Sequence, residues 1–205
     1  MSKLKNKTFD KIDINGLKYI PYLCDDMSVK YNEKNYTKCN QKKCIKDNLN
    51  FGYLQLYLNK DPQLYITTPP MKCLFGIQKN GKNFNMSLQF TNLKEDPTMK
   101  YFYEFIQQIE FECMKNIGLD ETDSDNFISQ IKYDKKGIYE PNLSVKIPFH
   151  KNSFQTDIYS EESSAVNLFN IQNFTNMQCD IYLDKIWKMN EKFYAKWNCK
   201  IIKLL

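Results

Sequence analysis

Met177 to Leu204 reads MQCDIYLDKIWKMNEKFYAKWNCKIIKL. Two runs of alternating apolar and polar residues flank Met189-Asn190-Glu191-Lys192. Period-two alternation on both sides of a turn-like tetrapeptide predicts a β-hairpin. On the second run Phe193, Ala195, Trp197, Cys199 and Ile201 share one face, and Tyr194, Lys196, Asn198 and Lys200 share the other. On the first run Cys179, Ile181, Leu183 and Trp187 oppose Tyr182, Asp184, Ile186 and Lys188. The apolar sets read as core, which places both Trp187 and Trp197 inside. The other face sets aromatic rings among ammonium groups. Such a surface suits a single-stranded nucleic acid, whose bases stack while its phosphates seek cations. It also suits an ordinary wet sheet face, because Tyr favours strands.

The same alternation recurs upstream. Leu54, Leu56 and Leu58 alternate with Tyr53, Gln55 and Tyr57. Leu64 to Thr67 is a second short strand, stopped by Pro69-Pro70. Met71, Cys73, Phe75 and Ile77 read as the inner side of a third, and Asn80-Gly81 as a hairpin turn. Phe84, Met86, Leu88 and Phe90 return as a fourth, with Asn83, Asn85, Ser87 and Gln89 outward.

Asp96-Pro97 then starts a helix, with Asp as N-cap and Pro at the first helical position. Met99, Phe102, Phe105, Ile106, Ile109, Cys113 and Ile117 recur at spacings of three and four, and Gly118 ends the run. Strands resume at 127–133, 143–149 and 154–159, and a short helix is expected near 165–173. The sum is eight or nine short strands and one long helix. Antiparallel strands with tight turns predict a mainly β protein, an OB-like antiparallel β-barrel with additional strands.

Residues 1–48 are rich in Lys and Asn and weak in pattern, and read as an extension. Residues 49–205 read as the domain proper, and the whole length fits one domain with an appendage. Net charge is +5, and all 29 cationic residues are Lys. Lys lacks the planar fork that reads guanine bidentately, so sequence-specific duplex recognition is disfavoured. An AT-rich genome would impose the same composition whatever the function. The first residues hold no apolar leader, and no run reaches the ~18 apolar residues that span a bilayer. Seven scattered Cys fit reduced thiols in cytoplasm or nucleus better than a disulfide framework.

The chemistry of catalysis is thin. His150 alone could serve a Ser-His or Cys-His pair, and a strand-end His is ordinary. Cys24, Cys39, Cys44 and Cys73 could offer four thiolates to zinc, but only Cys39 and Cys44 have ligand-pair spacing, so idle thiols are expected. Asp120, Glu121, Asp123 and Asp125 read as a solvated acidic loop rather than a two-metal site. No phosphate-cradling glycine loop occurs. No cofactor and no metal is expected.

The positive signal lies on the outward faces. Tyr53 and Tyr57 flank Gln55, and Tyr182, Lys188, Tyr194, Lys196 and Lys200 share the hairpin's wet side. Lys72, Lys132 and Lys146 project from other strands. These ten residues are the expected nucleic-acid contacts, Lys on phosphates and Tyr on bases. Nothing aims at a 2′-hydroxyl, so RNA stays open beside DNA. The alternative is a structural or assembly protein, a virion component or interaction adaptor, whose aromatics meet a protein partner or another copy of the chain.

ITTPPMKCLFGIQK (66–79), then NFNMSLQF, then DPTMKYFYEFIQQIE, resembles the single-stranded DNA-binding proteins of large nucleocytoplasmic DNA viruses. DIYLDKIWKMNEKFYAKWNCKIIKL is similar to the terminal strands of that group. The resemblance covers roughly residues 50–205. It implies an OB-like core, sequence-independent binding of single-stranded DNA in viral replication, no enzymatic activity, and a place in the cytoplasm or nucleus of an infected cell.

Overall fold

A computed structural model describes residues 7–9, 12, 17–22, 51–58, 63–160, 167–183 and 185–205. Cys24, Cys39 and Cys44 lie outside them. The strands in chain order are β1 (Lys7–Thr8), β2 (Leu17–Tyr22), β3 (Phe51–Leu58), β4 (Leu64–Thr67), β5 (Met71–Cys73), β6 (Gln78–Asn80) and β7 (Asn83–Gln89). After the helix α1 (Pro97–Asn116) come β8 (Ile131–Lys132), β9 (Asn142–Ile147), β10 (Phe149–His150), β11 (Ser153–Phe154) and β12 (Asp157–Tyr159). The last four are β13 (Thr175–Leu183), β14 (Lys185–Met189), β15 (Lys192–Ala195) and β16 (Trp197–Leu204).

Five of these close a ring. β5 pairs β7, β7 pairs β9, β9 pairs β16, β16 pairs β13, and β13 pairs β5. Taking β4 and β5 as one strand broken at the prolines, the ring runs first, second, third, fifth, fourth and back to the first. Only the β9–β16 seam of this ring is parallel. This is the Greek-key barrel of the OB type. Alternation fills it: Met86, Leu88, Leu143, Val145, Met177, Cys179, Ile181 and Trp197 are all buried.

The helix closes one end of the barrel. The Asp96 carboxylate accepts from the N–H groups of Thr98 and Met99 at 2.8 and 3.1 Å, satisfying two otherwise orphaned donors. Its expected apolar stripe is buried, and Phe102 meets Phe90 with ring centroids 6.0 Å apart. Inside the stretch read as an extension, β1 pairs β4 and Phe9 packs on Phe102 at 5.1 Å. β2 pairs β3 in a second sheet with β14 and β15. Among the described residues, no helix is long and apolar enough to cross a membrane.

Four local expectations change. The hairpin turn of β14 and β15 forms as read, with Asn190 and Glu191 at φ 48° and 62°. The run before it, however, is two strands. β13 ends on β4, while β14 pairs with β3, and the alternation inverts between them. Ile186 is therefore buried, and Trp187 is only half-buried. On β16, Asp180 faces Ile201 but Ile181 faces Cys199, leaving Lys200 as the extra residue of a bulge. Beyond it the buried residue is Ile202 rather than Ile201.

Phe75, inward by alternation, is exposed. The chain kinks at Gly76, with φ 63°, where a Cβ would meet the Ile171 carbonyl oxygen at 2.5 Å. The turn expected at Asn80-Gly81 sits one residue later. Asn80 faces Asn83, and Gly81, at φ 60°, takes the first central position.

Candidate nucleic-acid interface

Outward residues of β7 and β9 stand in register, Asn85 opposite Lys146 and Ser87 opposite Ser144. Lys146 also faces Asn198 of β16. Beside them runs the segment 127–132, held from three sides. The Ile128 N–H donates to the Phe193 carbonyl at 2.8 Å, which ties it to the hairpin. The Ser144 N–H donates to the Gln130 carbonyl at 2.9 Å, which ties it to the barrel. Buried Glu110 of α1 accepts from the Ser129 hydroxyl and the Gln130 N–H, each at 2.6 Å.

These elements enclose a groove of about 200 Å³ lined by Asn85, Ile128, Gln130, Lys132, Ser144, Lys146, Tyr194 and Lys196. It contains three ammonium groups, one phenol ring and no carboxylate. Lys196 Nζ lies 5.3 Å from the Tyr194 ring centroid. Lys132 Nζ donates to the Ser129 carbonyl at 2.6 Å. The Lys196 residue as a whole is exposed, yet partial burial of its ammonium lowers its pKa, and the charges of Lys146 and Lys132 push the same way. Three cations that repel one another across a groove form a site that an anion would stabilise.

Four of the ten expected residues therefore meet: Lys132, Lys146, Tyr194 and Lys196. Lys72 is on the same outer surface, opposite Gln89 and Asn176, but not in the groove. Tyr182 pairs its ring with Tyr65 at 5.2 Å on the β13–β4 side. Lys200 is exposed at the bulge. Tyr53 stands in register with Trp187 and Tyr22, and Tyr57 with Lys18.

Lys188 does not reach the wet face. It is buried, with Nζ 5.8 Å from the Phe193 ring centroid and 3.8 Å from a Glu191 carboxylate oxygen. The inverted alternation of β14 takes it off the wet face. Gln130 and Ile128 were missed as lining residues. Neither belongs to a strand with a readable period, and only tertiary ties bring them there.

A larger cavity of about 300 Å³ lies elsewhere, lined by Thr67, Tyr159, Ser160, Gln178, Asp180, Ile201 and Lys203. Asp180 there accepts from the Thr67 hydroxyl at 2.6 Å, so its lining includes a carboxylate. The acidic stretch forms a 3-10 helix, Glu121–Asn126, capped by Asp120, which accepts from the Thr122 N–H at 2.8 Å. His150 is exposed. Among the described residues, no three His, Cys, Asp or Glu side chains come together to hold a metal. Cys73, Cys113, Cys179 and Cys199 are buried and not in disulfides, and burial raises the Cys73 pKa.

No protein-family model matches the sequence, and no curated protein matches it. Among solved structures, the chain is similar to the single-stranded DNA-binding protein from bacteriophage Enc34 in complex with ssDNA. That similarity has a TM-score of 0.45 and 10% identity, over 69% of this chain and 85% of that one. The barrel order above rests on the strand pairings of this chain alone.

Proposed function

We propose that this protein binds single-stranded DNA without reading its sequence and without acting on it as an enzyme. One observation carries the reading: an acid-free groove on the second and third barrel strands, lined by Lys132, Lys146, Lys196 and the Tyr194 ring. That strand face is where OB barrels bind oligonucleotides. The lysines take phosphates as point charges, and the ring stacks on any base. Resemblance to the viral single-strand binders supports a part in viral DNA replication, in the cytoplasm or nucleus of an infected cell. RNA would fill the same groove by the same chemistry.

Fluorescence anisotropy with labelled oligo-dT, unlabelled duplex as competitor and two salt concentrations tests this. Tight binding that duplex fails to displace is expected. For single strands, affinity falls with salt at a slope of about 0.7 per neutralised phosphate, so three lysines give a slope of about 2. Absence of binding at low salt would end the proposal. The second reading, an assembly protein, is favoured by Tyr133, Ile138 and Tyr139, all strongly exposed on one loop. Self-assembly seen by light scattering without nucleic acid would favour it.

A further inference from the structure

The end of the barrel away from α1 carries a cluster of phenylalanine rings that the groove does not use. Phe84 is buried at its base, between Phe149 at 5.0 Å and Phe154 at 4.9 Å. Phe149 and Phe154 are 4.9 Å apart across the β10–β11 hairpin, and Phe169 lies 5.3 Å from Phe154. Two of the four rings face solvent: Phe149 is 39% exposed and Phe169 57%. Large apolar groups exposed together mark an interaction surface.

Charge indicates the occupant. The stretches around the cluster, 74–84, 147–156 and 167–175, contain no Asp or Glu, and Asp157 directly follows the second of them. They contain Lys79 and Lys82 in the first and Lys151 in the second. Lys79 Nζ sits 5.8 Å from the Phe84 ring centroid, and exposed Lys151 forms the tip of the β10–β11 hairpin at φ 49°. Exposed rings flanked by cations suit a polyanion with flat apolar bases. The cluster also continues the groove. Phe84 and Ile147 are the register pair next to Asn85 and Lys146, and Phe149 follows two residues on.

We infer that a single strand leaving the groove crosses onto this end, with bases stacked on Phe149 and Phe169 and phosphates near Lys79 and Lys151. The inference rests on the single-strand reading proposed above and adds a second stacking platform to it. The rings on which it depends are held edge to face, which fixes their faces before any ligand arrives.

The test uses the full chain with Phe149→Ala, Phe169→Ala and the matching Tyr variants. Each is titrated with a short oligo-dT of about 5 nucleotides and a long one of about 15, lengths within the span of one OB barrel. Either Ala change should weaken the long oligonucleotide about tenfold and leave the short one unchanged, while Tyr, which keeps a π-face, retains binding. Unchanged long-oligonucleotide affinity in both Ala variants, with wild type binding, would overturn the inference and leave the groove standing. A wild type that binds neither length would bring down both. If the Ala variants instead lower the mass of a wild-type assembly at constant affinity, the cluster joins copies of the chain, and the inference is wrong. Circular dichroism identifies a misfolded variant. Phe169, on a three-residue 3-10 turn, then decides the case alone.

Discussion

The barrel and the hairpin arm that leaves it obey the same alternation in opposite phase. In β13, Cys179, Ile181 and Leu183 point inward; in β14 the inward residues are Ile186 and Lys188, an odd step of three residues after Leu183. Trp197 of the barrel is fully buried, while Trp187 of the arm is only partly buried, with Lys185 Nζ 5.4 Å from its ring centroid. Parity is a property of one continuous strand, and here it inverts where the chain leaves the barrel sheet to pair with β3. The two tryptophans, alike in sequence context, therefore have different roles.

The sharpest way to break this comparison is to truncate both. Trp197→Ala should cost about 3–5 kcal/mol of stability, because a fully packed ring leaves a cavity. Trp187→Ala should cost markedly less, since that ring is only partly buried. Urea unfolding of the two variants measures both. Equal losses would return Trp187 to the core and remove the phase inversion.

Much of the barrel was legible because its strands are short, clean and bounded. Phe84 to Phe90 against Asn83 to Gln89, the Asp96-Pro97 helix start and the Gly118 stop all follow from local chemistry. What escaped was set by partners distant in sequence. The bulge at Lys200, the kink at Gly76 against Ile171 and the inversion after Leu183 each depend on a neighbouring strand or loop. The groove divided the same way. Lys146 and Tyr194 could be read from alternation, but Gln130 arrives through its carbonyl bond to Ser144 and the grip of Glu110. Glu110 itself reads as one more polar helix residue until its burial is seen.

The groove lies between the two regions, so each should contribute separately. Lys196→Glu beside the arm should weaken oligonucleotides of every sequence by at least tenfold and lower the salt slope by about 0.7 for the lost contact. Tyr194→Ala should cost about 1–3 kcal/mol per base stacked and leave the slope nearly unchanged. Salt titrations of both variants separate the terms. A Tyr194→Ala protein with intact affinity and an altered slope would show that the ring acts by holding Lys196 rather than by stacking.

On the barrel side, burial raises the Glu110 pKa, against the lowering effects of the Ser129 and Gln130 hydrogen bonds and the Lys132 charge. For a carboxyl with a raised folded pKa, the stabilising contribution is complete below the ordinary carboxylate range. It is lost as pH rises through the raised value, because the buried group must then ionise. The melting temperature of Glu110→Gln should accordingly gain on wild type across that window. A difference between the two that stays flat with pH would mean that Glu110 does not titrate there. Asp134 moves oppositely, lowered first by its hydrogen bond from the Ile138 N–H, and cancels in the difference.

The smallest effect tests the arm most directly. Lys188 keeps its stem in the interior, and its ion pair reaches a Glu191 side chain that is 74% exposed, an arrangement worth about 0–1 kcal/mol. Met preserves the length and packing of that stem and removes the charge. Lys188→Met should therefore change stability by less than about 1 kcal/mol and leave oligonucleotide affinity and salt slope as they are. The phase read straight through from Cys179 demands otherwise. It puts Lys188 on the wet face beside Tyr194, where Met would remove a phosphate contact and lower the slope by about 0.7. One salt titration of this variant decides between the two phases, because the buried lysine has no phosphate to lose.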